Sequence, residues 1–336
     1  MSEIRKPAVA GMFYPGNPEK LQEQISALFR KVGAPDGKGI GDAPGGAGDM
    51  QRSAGAPFQG GAATPAQGNA GVVQENVGDM QRSADAPFQR NVAEPAQDSG
   101  NTLQGIIAPH AGYMYSGLTA SYAYKPLAEK KFTKVIILSP SHREYFGGIS
   151  IYDGDAWETP LGKVNLAKAV ADKMIKGGAP ALMKSKAGHR DEHGVEVHLP
   201  FLQHIYGNDF EFVPVVMGDQ TVINAEALTR ALLEVMDDDT LVVASSDLSH
   251  FYTKDAANEL DSVFARRVVQ YDAEGLQNDL AVGKTEACGA GLVIAMMKAM
   301  KRAGVRNSKL LHRSDSGDVS GDYSSVVGYL SASFYN

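Results

Sequence analysis

Five short runs rich in Val and Ile, at 103–108, 134–138, 212–217, 241–244 and 326–330, are interleaved with stretches of helical periodicity. The helical patterns fall at about 116–128, 164–177, 223–236, 255–281 and 288–303. An earlier one, 19–31, carries Leu21, Ile25, Leu28 and Phe29 on one face. Strands in alternation with helices imply a layered α/β fold, a central mostly parallel or mixed sheet flanked by helices. In open sheets of this kind ligands gather beyond the carboxyl ends of the strands. The residues just after each apolar run therefore carry the functional information.

Residues 33–101 break this pattern. They contain 14 Gly, 13 Ala and 6 Pro, with Ile40 the only Ile or Leu. The segment also duplicates itself: Gly48-Asp-Met-Gln-Arg-Ser-Ala-Gly-Ala-Pro-Phe-Gln59 returns as Gly78-Asp-Met-Gln-Arg-Ser-Ala-Asp-Ala-Pro-Phe-Gln89, a period of 30. Solenoids share such periods, but one Phe and a few Val or Met per unit bury too little apolar surface to offset the entropy of ordering. The expectation is one α/β domain over 1–336, interrupted at 33–101 by a disordered low-complexity insert. Without the insert 267 residues are left, the size of one large domain.

Charge and cysteine content exclude several classes. A net charge of −7 argues against a nucleic-acid binder. No apolar run approaches the ~20 residues of a membrane helix, and Met1-Ser-Glu-Ile-Arg-Lys-Pro7 lacks the apolar core of a signal peptide. The expected location is the cytoplasm. A single cysteine rules out a disulfide scaffold.

Three strand ends carry similar chemistry. The first run leads into Ala108-Pro-His110-Ala-Gly-Tyr113, the second into Ser139-Pro-Ser-His142, and the fourth into Ser245-Ser-Asp247-Leu-Ser-His250. One such histidine is an ordinary hydrogen-bonded loop residue; three at equivalent strand ends suggest a shared metal or catalytic site, since neutral imidazole is a common ligand for Fe, Zn, Cu and Ni. Cys288 precedes a helix in Gly283-Lys-Thr-Glu-Ala-Cys-Gly-Ala-Gly291. A buried, inert thiol and a thiolate stabilised by the helix N-terminus are both compatible with that position. Gly283-Lys284-Thr285 echoes a phosphate-binding loop, but Asn278 stands where its first glycine belongs. His189-Arg-Asp-Glu192-His193 fits the inverted zinc-peptidase pattern, yet Gly188 and Gly194 bracket it, so a loop is expected in place of the required helix.

Six motifs in order resemble the Memo family (mediator of cell motility), whose prokaryotic members are called AmmeMemoRadiSam system protein B. They are Arg5-Lys-Pro-Ala-Val-Ala-Gly-Met-Phe-Tyr-Pro15, Ala108–Tyr113, Ser139–His142, Glu192-His193 leading to Glu196-Val-His198-Leu-Pro-Phe201, Ser245–His250 and Ser316-Gly-Asp-Val-Ser-Gly-Asp322. The likeness covers 1–32 and 102–336; the insert has no counterpart in the family pattern, and Gly194 stands where Ser is common.

The resemblance implies a fold similar to class III extradiol dioxygenases. It implies His110, His142 and Cys288 as metal ligands, with Cys in place of the dioxygenase Glu, and His250 with Asp247 as the acid/base group. Tyr113, Glu192, His193, Glu196 and His198 are implied to line or support the pocket. The cofactor implied is Fe(II) or a Cu ion, with Zn also compatible, and no organic cofactor. A thiolate softens the site relative to a two-histidine, one-carboxylate triad, so ring-cleaving activity does not follow from the fold. Three readings stay open: a metal-dependent redox protein, a non-catalytic adaptor on a dioxygenase scaffold, and a hydrolase with Cys288 as nucleophile and His250 as base. The family name implies partnership with an AMMECR-type protein and a radical S-adenosylmethionine enzyme. It leaves open a small-molecule or peptide ligand, with no nucleic acid or membrane partner.

Overall fold

The computed structural model describes residues 3–33 and 103–336. Apart from Gly33, the duplicated segment expected to be disordered lies outside the described residues. The centre of the sheet is built from strands that are apolar on both faces. In β3 (Lys134–Pro140), Ile136 and Leu138 enter one hydrophobic cluster while Val135 and Ile137 enter another. β8 (Glu211–Met217) and β9 (Thr240–Ser245) divide in the same way: Val213, Val215, Val242 and Ala244 point to the first cluster, Phe212, Val216, Leu241 and Val243 to the second. Strands with no polar face need helices on both sides.

β8, β3, β9 and β2 (Leu103–Ala108) run parallel in that spatial order, with Ile136 opposite both Val213 and Val242, and Ile107 opposite Ala244. β12 (Val326–Tyr335) joins antiparallel to β2, and β11 (Asn307–Asp315) and β10 (His250–Tyr252) both pair with β12. Beyond β8 come β6 (Gly162–Leu166), β5 (Ala156–Thr159) and β1 (Ile4–Arg5). β4 (Ile149–Tyr152) pairs antiparallel with β8 and carries β7 (Leu182–Ser185) on its other edge.

One face is covered by α3 (Lys168–Gly178), α5 (Val222–Leu233), α6 (Lys254–Val269), α7 (Ala273–Ala281) and α8 (Ala290–Arg302). The other is covered by α1 (Pro18–Lys31), α2 (Tyr113–Tyr124) and α4 (Leu199–Tyr206). The start of α1 is written locally. The Asn17 side chain accepts the Lys20 N–H, Pro18 opens the first turn, and Glu19 meets the positive end of the helix dipole. No described helix is long and apolar enough to cross a membrane.

The α/β layering agrees with the sequence reading, and three boundaries differ from it. The pattern at 164–177 opens as strand β6, and its helix begins only at Lys168. The pattern at 255–281 is two helices. The chain turns at Tyr271, which takes φ +54°, and Asp272 restarts it by accepting the Gly275 N–H at 2.8 Å. The pattern at 116–128 begins at Tyr113 and tightens into a 3-10 turn over Lys125–Glu129, where Pro126 cannot donate.

Candidate metal centre

β2, β9 and β3 are adjacent and parallel, so the segments that leave them open onto one point. His110 follows β2 and His142 follows β3, while Cys288 lies just before α8. The loop after β9 brings Cys288 to them: the Cys288 N–H donates to the Asp247 carbonyl (3.2 Å), and the Asp247 N–H donates to Cys288 Sγ (3.2 Å). One ligand atom from each of His110, His142 and Cys288 lies within 4.8 Å of the others. Metal–ligand distances of about 2.0–2.3 Å allow two donors of one ion to stand up to about 4.4 Å apart. Three donors of one tetrahedral or trigonal ion stand about 3.3–3.8 Å apart; His110 Nε2 and Cys288 Sγ are already 3.2 Å apart, and a shared ion would draw His142 in toward them.

Each imidazole is held from behind. His110 is buried, with Nδ1 2.6 Å from Ser245 Oγ and Nε2 3.2 Å from Cys288 Sγ. His142 is partly exposed, and its Nδ1 donates to Glu192 Oε1 at 2.8 Å. A carboxylate only accepts, which fixes the proton on Nδ1 and leaves Nε2 free to ligate. Glu192 is itself buried and also accepts the backbone N–H groups of His142, His193 and Gly194 at 2.7–2.9 Å. Burial would push its carboxyl up, but the hydrogen bond and charge of His142 outweigh that and hold it below the usual range. Glu192, His142 and His193 also come within metal-binding reach of one another. Since Glu192 Oε1 already accepts three N–H groups, it serves as the backing of His142.

The His193 ring stacks on His142 (centroids 4.5 Å apart), meets His110 edge-on at 5.3 Å and touches Phe13 at 4.7 Å. Its Nδ1 is buried without a hydrogen-bond partner, and burial lowers the ring's pKa to about 4.

Asp247 lies beneath the cluster, its Oδ1 accepting the His110 N–H at 2.8 Å. Burial raises its carboxyl to about 6. His250, at the start of β10, is close enough to act electrostatically on both His110 and Asp247. It lies outside the three-donor set. The thiol differs from one of the two readings that its sequence position allowed. Burial, reinforced by the Asp247 charge, pushes Cys288 well up, so without an ion it is a neutral thiol facing the His110 lone pair. Desolvation dominates over the helix N-terminus because the sulfur lies among buried groups.

Two of the residues expected to line or support the pocket bond to other segments. Glu196 accepts from Arg5 Nη1 (2.6 Å), the Ala8 and Val9 N–H groups, and the Tyr14 hydroxyl (2.6 Å), tying the N-terminal segment to the sheet. Tyr113 is buried and donates to the Val197 carbonyl at 2.6 Å. Arg5 also donates to the His189 and Glu192 carbonyls and lies 3.9 Å from the Trp157 ring centre, bracing the loop that carries Glu192 and His193. That loop is not helical, as the bracketing glycines imply, and His189 turns Nε2 to the Ser150 carbonyl. A cleft of about 800 Å³ borders the loop, lined by Arg5, Arg143, Lys186 and Arg190 among others, and none of the three donors lines it. Sequence reasoning missed Ser245 as a partner of His110, and Tyr124, whose hydroxyl meets His198 Nδ1 at 2.8 Å.

An α/β domain with two histidines and a cysteine converging at strand ends is the class of protein defined by this geometry. The sequence profile of the Memo-like protein family matches residues 75–333, and the chain belongs to that family. A MEMO1 family protein of Methanopyrus kandleri is 32% identical over 98% of both chains. One of Methanobrevibacter smithii is 34% identical over 98% of this chain and 99% of its own. The crystal structure of an uncharacterized protein from Escherichia coli K12 matches with a TM-score of 0.44 at 15% identity, over 69% of this chain and 99% of that one, a likeness too distant to bear on the site.

Proposed function

We propose that this chain is a metal protein on a dioxygenase-like scaffold, with His110, His142 and Cys288 holding one redox-capable ion, iron or copper. The supporting observation is the convergence of three donors from separate chain segments within 4.8 Å, each histidine anchored through its second nitrogen. Such anchoring orients metal-ligating imidazoles and raises their basicity. Two imidazoles and a thiolate form a softer set than the dioxygenase triad, favouring Cu(I) or Zn while still admitting Fe(II). A bound iron or copper ion supplies one-electron redox chemistry and an open position for a small ligand.

The chain's own residues do the rest. Asp247 fixes the loops of His110 and Cys288 relative to each other through backbone hydrogen bonds. His250 is the group assigned to exchange a proton with a bound ligand. The hydrolase reading is disfavoured because the thiol is raised by burial and is hydrogen-bonded to His110. Service alongside an AMMECR-type protein and a radical S-adenosylmethionine enzyme is part of the same proposal and rests on the family likeness.

Elemental analysis of the anaerobically purified full-length chain tests the reading. The expected result is about one ion per chain, lost in His110→Ala and in Cys288→Ser. A wild-type chain that stays metal-free after reconstitution with Fe(II), Cu(I) and Zn(II) overturns it. Oxygen uptake by the loaded protein with catechols then separates turnover from an adaptor role.

A further inference from the structure

Ser245 closes β9 and is completely buried. Its single hydroxyl oxygen has three partners: His110 Nδ1 at 2.6 Å, His198 Nε2 at 2.8 Å and the Gly194 carbonyl at 2.7 Å. A hydroxyl has one proton to donate, and a carbonyl oxygen can only accept. The Ser245 proton therefore goes to Gly194, and both imidazole nitrogens must arrive as N–H donors. A neutral imidazole, the form that can ligate, has one ring proton, and the hydroxyl determines where it sits. His110 is the Nδ1–H tautomer, which turns the Nε2 lone pair toward Cys288 Sγ at 3.2 Å. His198 is the Nε2–H tautomer, and its Nδ1 accepts the Tyr124 hydroxyl proton at 2.8 Å. The chain is consistent from end to end, with every donor matched to an acceptor.

We infer that Ser245 is the positioning residue of the metal centre: it fixes the tautomers of His110 and His198 together, so that His110 presents an unprotonated Nε2 to the ion. This rests on the metal-site reading for its consequence, but the tautomers are properties of the metal-free protein. His198, buried and outside the three-donor set, acts by occupying the second acceptor direction of Ser245, and Tyr124 holds His198 in turn. A merely structural hydroxyl would leave the ring protons of both histidines unassigned.

Long-range ¹H–¹⁵N correlation spectra of the metal-free, ¹⁵N-histidine-labelled full chain test the inference. In the wild type, His110 is expected to carry its proton on Nδ1 and His198 on Nε2. In Ser245→Ala both should lose that fixed assignment, and Zn(II) affinity should fall about 10–100-fold, the usual loss when a ligand's outer partner is removed. Tyr124→Phe should disturb His198 alone and leave His110 as Nδ1–H. Ser245→Cys places a larger, weaker acceptor at the same position and should fall between wild type and alanine. A wild-type His110 protonated on Nε2, or a His110 tautomer unchanged in a folded Ser245→Ala, overturns the inference, and the wild-type spectrum decides even if no variant folds. If the wild-type tautomers are as stated but the chain takes up no metal, the metal-site reading fails and the Ser245 assignment stands.

Discussion

Asp261 on α6 offers a measurable test of how the loop carrying Asp247 and His250 is held. The residue is 4% exposed, and its carboxylate accepts the Ser249 N–H at 3.0 Å. A Cβ added at Gly328 would lie 1.9 Å from its Oδ2, so the chain closes directly over the acid. Burial is the main cause that raises this carboxyl from 3.8 to about 6, only partly offset by the Ser249 hydrogen bond and the Arg313 charge. Below pH 4 the group is neutral in both the folded and unfolded chain and costs nothing. Between pH 4 and 6 the unfolded chain loses its proton while the folded chain keeps it, so the folded state binds more protons and stability falls as pH rises. Above about pH 6 the penalty is complete. Two pH units at about 1.4 kcal/mol each give about 3 kcal/mol as its upper size. Asp261→Asn keeps an oxygen for the Ser249 N–H and cannot ionise. Urea unfolding of the metal-free wild type and variant at pH 4, 5, 6 and 7 should show the variant gaining on the wild type by about 2–3 kcal/mol across that range. A stability difference that is flat with pH, or that favours the wild type increasingly at neutral pH, refutes the reasoning.

Two further substitutions probe the centre. A Cβ at Gly194 would lie 2.3 Å from Ser139 Oγ and 3.3 Å from Glu192 Oε1, so Gly194→Ala should destabilise by about 1–3 kcal/mol. Most of that loss should be recovered in Ser139→Ala/Gly194→Ala; a double-mutant cycle with no coupling would place the strain elsewhere. Glu192→Gln puts an amide donor against N–H groups that now meet only oxygen, and should weaken Zn(II) binding about 10–100-fold in a competition titration against a chromophoric chelator. Wild-type affinity in that variant would remove Glu192 from the support of His142.

The layered fold was legible because its central strands have no polar face. Residues 134–138 and 241–244 read as continuous apolar runs, and they are the strands buried under helices on both sides. Edge strands lacked that signal. β11 is half-buried along its length, β7 mixes Leu182 and Met183 with Lys184 and Ser185, and β10 has only three residues. Such segments are strands because a neighbour offers them an edge, which is a tertiary fact. The merged helix at 255–281 failed for a local reason: Tyr271 is a poor candidate for positive φ, so nothing in its identity announced the turn that Asp272 then caps.

The candidate donors were legible for a topological reason and their supports were not. His110 and His142 follow apolar runs directly, and parallel neighbouring strands deliver whatever follows them to one place. Closeness in sequence to a site residue carries no such guarantee. Glu196 and His198 stand two residues apart in one 3-10 turn, where successive side chains diverge by about 120°. Glu196 accordingly reaches the N-terminal segment and His198 reaches Ser245. The state of Cys288 was left open for the same reason, since a helix start is visible in sequence whereas burial in the fold, and the charge of Asp247 from forty-one residues away, raise the thiol. Ser245 combines both difficulties. Its hydroxyl joins His110, 135 positions away, to Gly194 and His198, 51 and 47 positions away in one segment, and only their meeting turns an ordinary strand-end serine into the atom that decides the tautomers of two histidines.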